Sequence, residues 1–324
     1  MKILLIIAHD RYRECAVKNY HDLINYYINN SKNDIKYFYT DIRFHTKIYK
    51  LLKYWKPELI GFFDVDIIRF GEKFDYLFNK NIPVYSVSED MHWGFEKMKK
   101  CLYINKCFSL IKFDKSIKII NEYQNYFKDK YITYFDSRFL NMKKFKNYNL
   151  EKKYDILIYG NRRYSVYPLR GYLNDILIKY QNKYKIKILR NSGSFSANKR
   201  KLPINEELSK LINQSYLTVA SSSVKDVLLQ KYIEISASYS CILGNIPSDY
   251  KNLFTGNIIE ININMTEKEI IDIIDKALSN KKKLLEMTNR LHEIIIKEHN
   301  LDCGVKNFDK VFENILYKYN INNK

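Results

Sequence analysis

Apolar and polar positions along this chain fall into short blocks that alternate between strand-like and helix-like spacing. Met1 to Ala8 (MKILLIIA) is a near-continuous apolar run, the pattern of a central parallel strand buried on both faces. Helical periodicity follows over Asn19 to Asn29, then a strand over Ile35 to Tyr39 and a helix from Lys47 to Trp55 that Lys56-Pro57 ends. Leu59 to Phe63 reads as a strand, Phe70 to Asn79 as a helix and Ile82 to Val87 as a strand. Cys107 to Ile111 and Tyr131 to Phe135 extend the series, with a helix over Ser116 to Phe127 between them. Alternation at this spacing predicts an α/β domain with a doubly wound sheet. After Asp136 the pattern loosens through a polar stretch rich in lysine and asparagine, SRFLNMKKFKNYNLEKK, which reads as an interdomain linker.

A second α/β series then opens. Tyr154 to Gly160 is a strand running into a turn, Leu169 to Tyr180 a helix and Tyr184 to Leu189 a strand. Asn191 to Arg200 is a loop rich in Ser, Gly and Asn, and Glu206 to Asn213 is a helix. The stretch from Ser215 to Pro247 carries the most information. Apolar Tyr216 to Ala220 runs into Ser221, Ser222 and Ser223, predicted to cap a helix that carries both Asp226 and Glu234. At ~100° per residue, a spacing of eight brings the two carboxylates to within roughly 80° of each other, so they can share a face. The plainer reading is an ordinary amphipathic helix with solvated acids. Cys241 to Gly244 is a short buried strand, and Ile258 to Ile263 gives the last one. Helices over Glu267 to Asn280, Lys282 to Glu298 and Val305 to Tyr319 complete the pattern.

A length of 324 residues suits two domains. With 46% hydrophobic and 28% charged residues the composition is globular. No apolar run approaches the ~20 residues that span a bilayer, and the first one is too short for a secretory signal and lacks a small-residue cleavage site, so a cytoplasmic location is expected. Five scattered cysteines without a C-x-x-C pair suggest buried thiols rather than a disulfide framework or a zinc site. The formal charge of +19 points first to nucleic acid or an anionic surface. Lys dominates over Arg, however, and Ile, Asn and Tyr are abundant, a joint bias that suits an AT-rich genome, as in some bacteria, protists and large DNA viruses. The dense runs, Lys97 to Lys100, Lys143 to Lys146 and Lys281 to Lys283, are short and read as solvated faces. No specific nucleic-acid partner and at most peripheral membrane association are therefore expected.

Asp226-x7-Glu234 followed by a small-residue turn resembles the E-x7-E helix of GT-B glycosyltransferases, in particular the group 1 and CgeB-like branches. The resemblance covers most of the chain, although only the second half carries the motifs. It implies two Rossmann-like doubly wound domains facing a central cleft. Residues 1–140 would form the acceptor-side domain and 151–304 the domain that binds the nucleotide sugar, while helix 305–324 would pack back on the first domain. The implied activity is metal-independent transfer of a sugar from a UDP- or GDP-sugar to a hydroxyl acceptor on a glycan, lipid or protein, with retention and without a permanently bound cofactor. In such enzymes the second carboxylate holds the ribose hydroxyls and the first lies by the sugar, which assigns those roles to Glu234 and Asp226. A carboxylate facing a cleft contributes little to a core, so removing Glu234 is expected to leave folding nearly unchanged.

The leaving diphosphate needs cationic support. The turn Gly160-Asn161-Arg162-Arg163 follows a strand, where open α/β sheets face their ligand crevice, and Arg grips phosphate bidentately. Group 1 members carry a Gly-Arg turn here with a lysine five residues on. This chain has Tyr167 in that place for Arg162 and Pro168 for Arg163, so Arg170 is the candidate substitute, and Ser223 joins the donor-binding set. In the first domain, Ser88-Glu89-Asp90-Met91-His92-Trp93 follows a strand. Asp90 or His92 would orient or deprotonate the acceptor, with His92 favoured by the resemblance, and Trp93 would stack on a sugar. His9-Asp10 is the rival base, and the glycine-rich turn usual there is missing. Neither series carries G-x-G-x-x-G, a P-loop or G-x-S-x-G. Asp64-Val65-Asp66 is the one D-x-D, and as a metal site it would imply a different fold. The rival readings are a basic nucleic-acid-binding protein, with 29 tyrosines available to stack on bases, and an inactive GT-B-like scaffold.

Overall fold

A computed structural model describes residues 1–7, 18–39, 45–63, 75–78, 81–88, 107–112, 117–134, 138–189, 203 and 205–322. The chain divides into two compact units. The first comprises Met1–Arg13, Leu23–Ser137 and Gly304–Lys324, and the second Glu14–Asp22 and Arg138–Cys303.

The first unit runs β1 (Lys2–Ile7), α1 (Lys18–Asn30), β2 (Asp34–Tyr39), α2 (His45–Tyr54), β3 (Leu59–Phe63), α3 (Asp75–Phe78), β4 (Val84–Ser88), β5 (Ser109–Lys112), α4 (Ile117–Tyr126) and β6 (Tyr131–Tyr134). All six strands are parallel, in the order β2-β1-β3-β4-β5-β6. The apolar run at the N-terminus is explained by this position: β1 is paired on both sides, and Ile3 to Ile7 are at most 1% exposed.

The second unit runs β7 (Tyr154–Ile158), α5 (Pro168–Lys179), β8 (Ile186–Ile188), α6 (Asn205–Asn213), β9 (Ser215–Ala220), α7 (Gln230–Ala237), β10 (Cys241–Gly244), α8 (Lys251–Phe254), β11 (Ile259–Glu260), α9 (Glu267–Ser279) and α10 (Lys281–Glu298). Its five parallel strands lie in the order β11-β10-β9-β7-β8. The period of two along each strand divides the core. Ile156, Ile158, Leu217, Val219, Cys241 and Leu243 pack with α5 and α9 on one face. Leu157, Tyr159, Ala220 and Ile242 pack with Tyr232, Ile233 and Ile235 of α7 on the other. Helices thus cover both faces, as the alternating pattern predicts.

The last helix, α11 (Leu301–Asn322), contributes its residues from Gly304 onward to the first unit. Phe312 stacks on Tyr85 with ring centroids 4.9 Å apart. Asp309 Oδ1 accepts hydrogen bonds from Tyr27 Oη at 2.9 Å, Ser31 Oγ at 2.8 Å and Asn33 Nδ2 at 2.6 Å.

The polar stretch that reads as a linker is anchored from Arg138 onward. Phe139, Leu140 and Phe145 are buried, and the Leu140 N–H donates to the His299 carbonyl at 2.8 Å. Three apolar residues among lysines and asparagines suffice to dock it. Of the described cysteines, Cys107 and Cys241 are buried, and burial pushes both thiols up to about 12, whereas Cys303 is partly exposed. Among the described residues no helix is long and apolar enough to cross a membrane.

Gly244 closes β10 against β9. A Cβ at this position would stand 1.6 Å from the carbonyl oxygen of Ala220, a backbone atom that cannot move without parting the strands. Gly244→Ala is expected to cost about 1–3 kcal/mol. Denaturant unfolding checks this, and an unchanged midpoint would show that β9 and β10 tolerate separation.

Candidate functional site

In the second unit, β7 leads through α5 to β8 on one side of the sheet, whereas β9 leads through α7 to β10 on the other. The order reverses between β7 and β9, and at such a point the loops beyond the carboxyl ends diverge and leave a crevice. Three segments meet there: Tyr159-Gly160-Asn161 after β7, Ser221-Ser222-Ser223 after β9 and Asn245 after β10.

Arg170 of α5 lies beneath them, 2% exposed. Its Nη1 donates to the Asn161 carbonyl at 2.9 Å and its Nη2 to the Ser221 carbonyl at 3.1 Å, so the guanidinium ties the two diverging loops together. The Tyr167 ring lies over it, 4.3 Å from ring centroid to guanidinium carbon. Arg170 Nε and Ser221 Oγ are buried without a hydrogen-bond partner.

The first turns of α7 bring a second cation to the same place. Lys231 is buried; its Nζ donates to the Tyr159 carbonyl at 2.5 Å and lies 3.2 Å from the centroid of the Tyr159 ring. Three residues on, and so on the same face of the helix, Glu234 accepts a hydrogen bond from Tyr159 Oη at 3.1 Å. Burial holds the Lys231 ammonium well below its ordinary range, the Arg170 guanidinium pushes the same way and Glu234 opposes them. Burial also pushes the Tyr159 phenol up, with Glu234 adding to the effect. Arg170 remains protonated because a guanidinium does not titrate in proteins. Among the described residues neither cation forms an ion pair within 4 Å.

The other expected site residues are distributed around this centre. Arg162 is half-buried, and its Nη1 donates to Asn174 Oδ1 of α5 at 2.5 Å. Arg163 is exposed, and its backbone N–H donates to Asn161 Oδ1 at 3.0 Å. Ser223 is buried and accepts the Lys225 N–H at 3.2 Å. The serines therefore close a turn rather than cap α7, whose N-cap is Leu229 with no side-chain cap bond. Asn245 holds this turn by accepting the Ser222 N–H at 3.0 Å and donating to Ser222 Oγ at 2.6 Å.

The expectation that one helix carries both Asp226 and Glu234 does not hold. Helix α7 begins only at Gln230, and Asp226 has φ +52°, the left-handed region that breaks a helix. Its N–H bonds the Ser223 carbonyl, and its carboxylate accepts both the N–H and the hydroxyl of Ser248. Asp226 thus fastens the loop after β9 to the loop after β10. Glu234 also departs from expectation. At 9% exposure it is buried rather than solvated. Asp90, His92 and Trp93, the rival pair His9 and Asp10, the Asp64-Val65-Asp66 run and the segment Arg190 to Arg200 all lie outside the described residues. Tyr159 and Lys231 are site residues that the sequence pattern does not single out, although the spacing of Lys231 and Glu234 is itself a readable signal of a shared face.

No protein-family model matches the sequence, and no curated protein sequence does either. Solved structures do match. Sucrose-phosphate synthase from Thermosynechococcus elongatus superposes with a TM-score of 0.63 at 8% identity, over 97% of this chain and 99% of that one. Anabaena HepE in complex with UDP gives a TM-score of 0.59 at 9% identity, over 97% and 100%. The GtfA/B complex gives 0.53 at 11% identity, over 84% of this chain, which spans 60% of that one. The chain has the fold of GT-B glycosyltransferases.

Glu234→Ala would strip the counter-charge from the buried Lys231 and orphan the Tyr159 hydroxyl. The expected loss of stability is about 3–5 kcal/mol, the scale for breaking a buried charge arrangement by removing one partner. Glu234→Gln, which keeps a hydrogen-bond acceptor, should lose less. Chemical denaturation of the pair measures the difference, and equal stability of Glu234→Ala and wild type would show that the carboxylate does not neutralise the site.

Proposed function

We propose that this protein transfers a sugar from a nucleotide-sugar donor to a hydroxyl acceptor, with the nucleotide held at the carboxyl ends of β7, β9 and β10. The observation that carries this reading is the charge imbalance at the switch point. Arg170 and Lys231 are both buried and close enough to repel each other, and among the described residues Glu234 is the one carboxylate that acts on Lys231. Burial and the Arg170 guanidinium disfavour charge on Lys231, so an anion bound beside both basic groups would favour the ammonium and be favoured by it, and a diphosphate is such an anion. HepE, which shares the fold, has been solved with UDP and with UDP-glucose, and a UDP- or GDP-sugar is the donor class that fits here.

In this reading Glu234 faces the ribose hydroxyls, and Arg170, with Arg162 and Arg163 of the turn, faces the phosphates. Ser223 sits in the turn that borders them. Negative charge develops on the diphosphate as the glycosidic bond breaks, so cations already fixed in place stabilise the transition state without reorganising. Asp226 holds the two loops that would border the donor sugar, and His92 and Asp90 are the proposed acceptor-side groups. The transfer is proposed to be metal-independent and retaining.

Calorimetric titration with UDP, UMP and uridine, and with the guanosine series, tests this directly. Hydrogen bonds to charged groups contribute about 1.5–3 kcal/mol each, so the preferred diphosphate should bind roughly tenfold to a hundredfold more tightly than its nucleoside. Equal affinity across the series would remove the anion site, and no binding at all would remove the reading. Asp226→Ala should lower turnover of a donor sugar more than it lowers UDP affinity, as kinetics beside the same titration would show.

A further inference from the structure

We infer that Lys231 is itself a ligand of the donor diphosphate, reaching the phosphate-binding turn from α7. The inference rests on the nucleotide-sugar reading above. Five positions beyond Arg162 and Arg163 of the turn after β7 stand Tyr167, its ring laid over the Arg170 guanidinium, and Pro168. The lysine that reaches the turn comes instead from a helix 72 residues away along the chain.

Three features point to an anion ligand rather than a structural lysine. The first is the shape of the turn. Gly160 has φ +88°, and a Cβ built on it would stand 2.6 Å from Lys231 Nζ and 3.5 Å from Arg170 Nη1. A side chain at 160 would therefore collide with the Lys231 ammonium, and glycine lets Lys231 and Arg170 lie against the backbone of the turn, where a phosphate held by that turn would meet both. The second is the donor inventory. An ammonium carries three N–H groups, and the Tyr159 carbonyl accepts one of them. The Arg170 Nε and the Ser221 hydroxyl beside it add further buried groups without partners. The third is the cost of the arrangement. A lysine that served only to bond a carbonyl would not be placed against a guanidinium under burial, where a neutral side chain would do better. Among the described residues, the titratable groups facing Lys231 are Arg170 from α5, Glu234 from its own helix and Tyr159 just after β7. With Glu234 one helical turn from Lys231, one face of α7 presents an acceptor suited to a diol beside a donor suited to a phosphate, the order in which a nucleoside diphosphate displays them.

Lys231→Met removes the charge and keeps the bulk. Lys231→Gln also keeps a donor for the Tyr159 carbonyl, so that one variant remains if the other fails to fold. Thermal unfolding establishes which is folded, and titration with UDP, GDP and the matching nucleosides follows. Either folded variant should bind the preferred diphosphate about tenfold to a hundredfold more weakly than wild type and the nucleoside equally well, as expected for loss of one charge-assisted contact. A folded variant with wild-type diphosphate affinity overturns the inference while leaving the nucleotide site in place. If wild type itself binds none of the four compounds, the parent reading fails and this one falls with it.

Discussion

Taking a guanidinium and an ammonium out of water costs several kcal/mol for each, and among the described residues only the Glu234 carboxylate, acting on Lys231, offsets part of that. Oriented dipoles and rings offset a further part. The carbonyls of Asn161 and Ser221 accept from Arg170, the carbonyl of Tyr159 accepts from Lys231, and the rings of Tyr167 and Tyr159 lie against the two cations. Each acceptor lies on a loop that leaves the carboxyl end of a strand. The buried charges therefore determine the path of those loops as much as the loops enclose the charges.

That coupling accounts for the shape of the surroundings. The chain after β9 does not continue into a helix, although its composition would allow one. Its serines and Asp226 are used to turn it and to fasten it to the loop after β10, through Asn245 in one place and Ser248 in another. Helix α7 begins late in consequence, and the late start brings Lys231 and Glu234 into its first turns, against Tyr159. Two basic groups buried side by side stabilise an empty protein poorly, and the proposed diphosphate would relieve that cost, the usual exchange of stability for function at a site.

In the first unit the comparable fixed point is Asp309 of α11, which gathers donors from Tyr27, Ser31 and Asn33. With Phe308 and Phe312 packed on Tyr27, Phe63 and Tyr85, the end of the chain becomes part of the unit that its beginning forms. An aromatic core closed by one buried acid holds the helix in register.

The local period of the sequence is enough to determine the succession of strands and helices. Leu59 to Phe63 coincides with β3, and β1, α5, α6 and α9 depart from the pattern by a residue or two at their ends. It also marks two α/β series, the turn at Gly160, and Arg170 and Glu234 as residues of interest, because apolar runs, glycine and charge are visible one position at a time. Three things were beyond it: the start of α7, the buried state of Glu234 and the meeting of Tyr159, Lys231 and Arg170. Asp226 leaves the helix because its carboxylate finds Ser248, 22 residues on, and Glu234 is buried because Tyr159, 75 residues back, donates to it. Such contacts carry no local period. They exist only once parallel pairing has set β7 beside β9, because that register brings the ends of distant strands to one point.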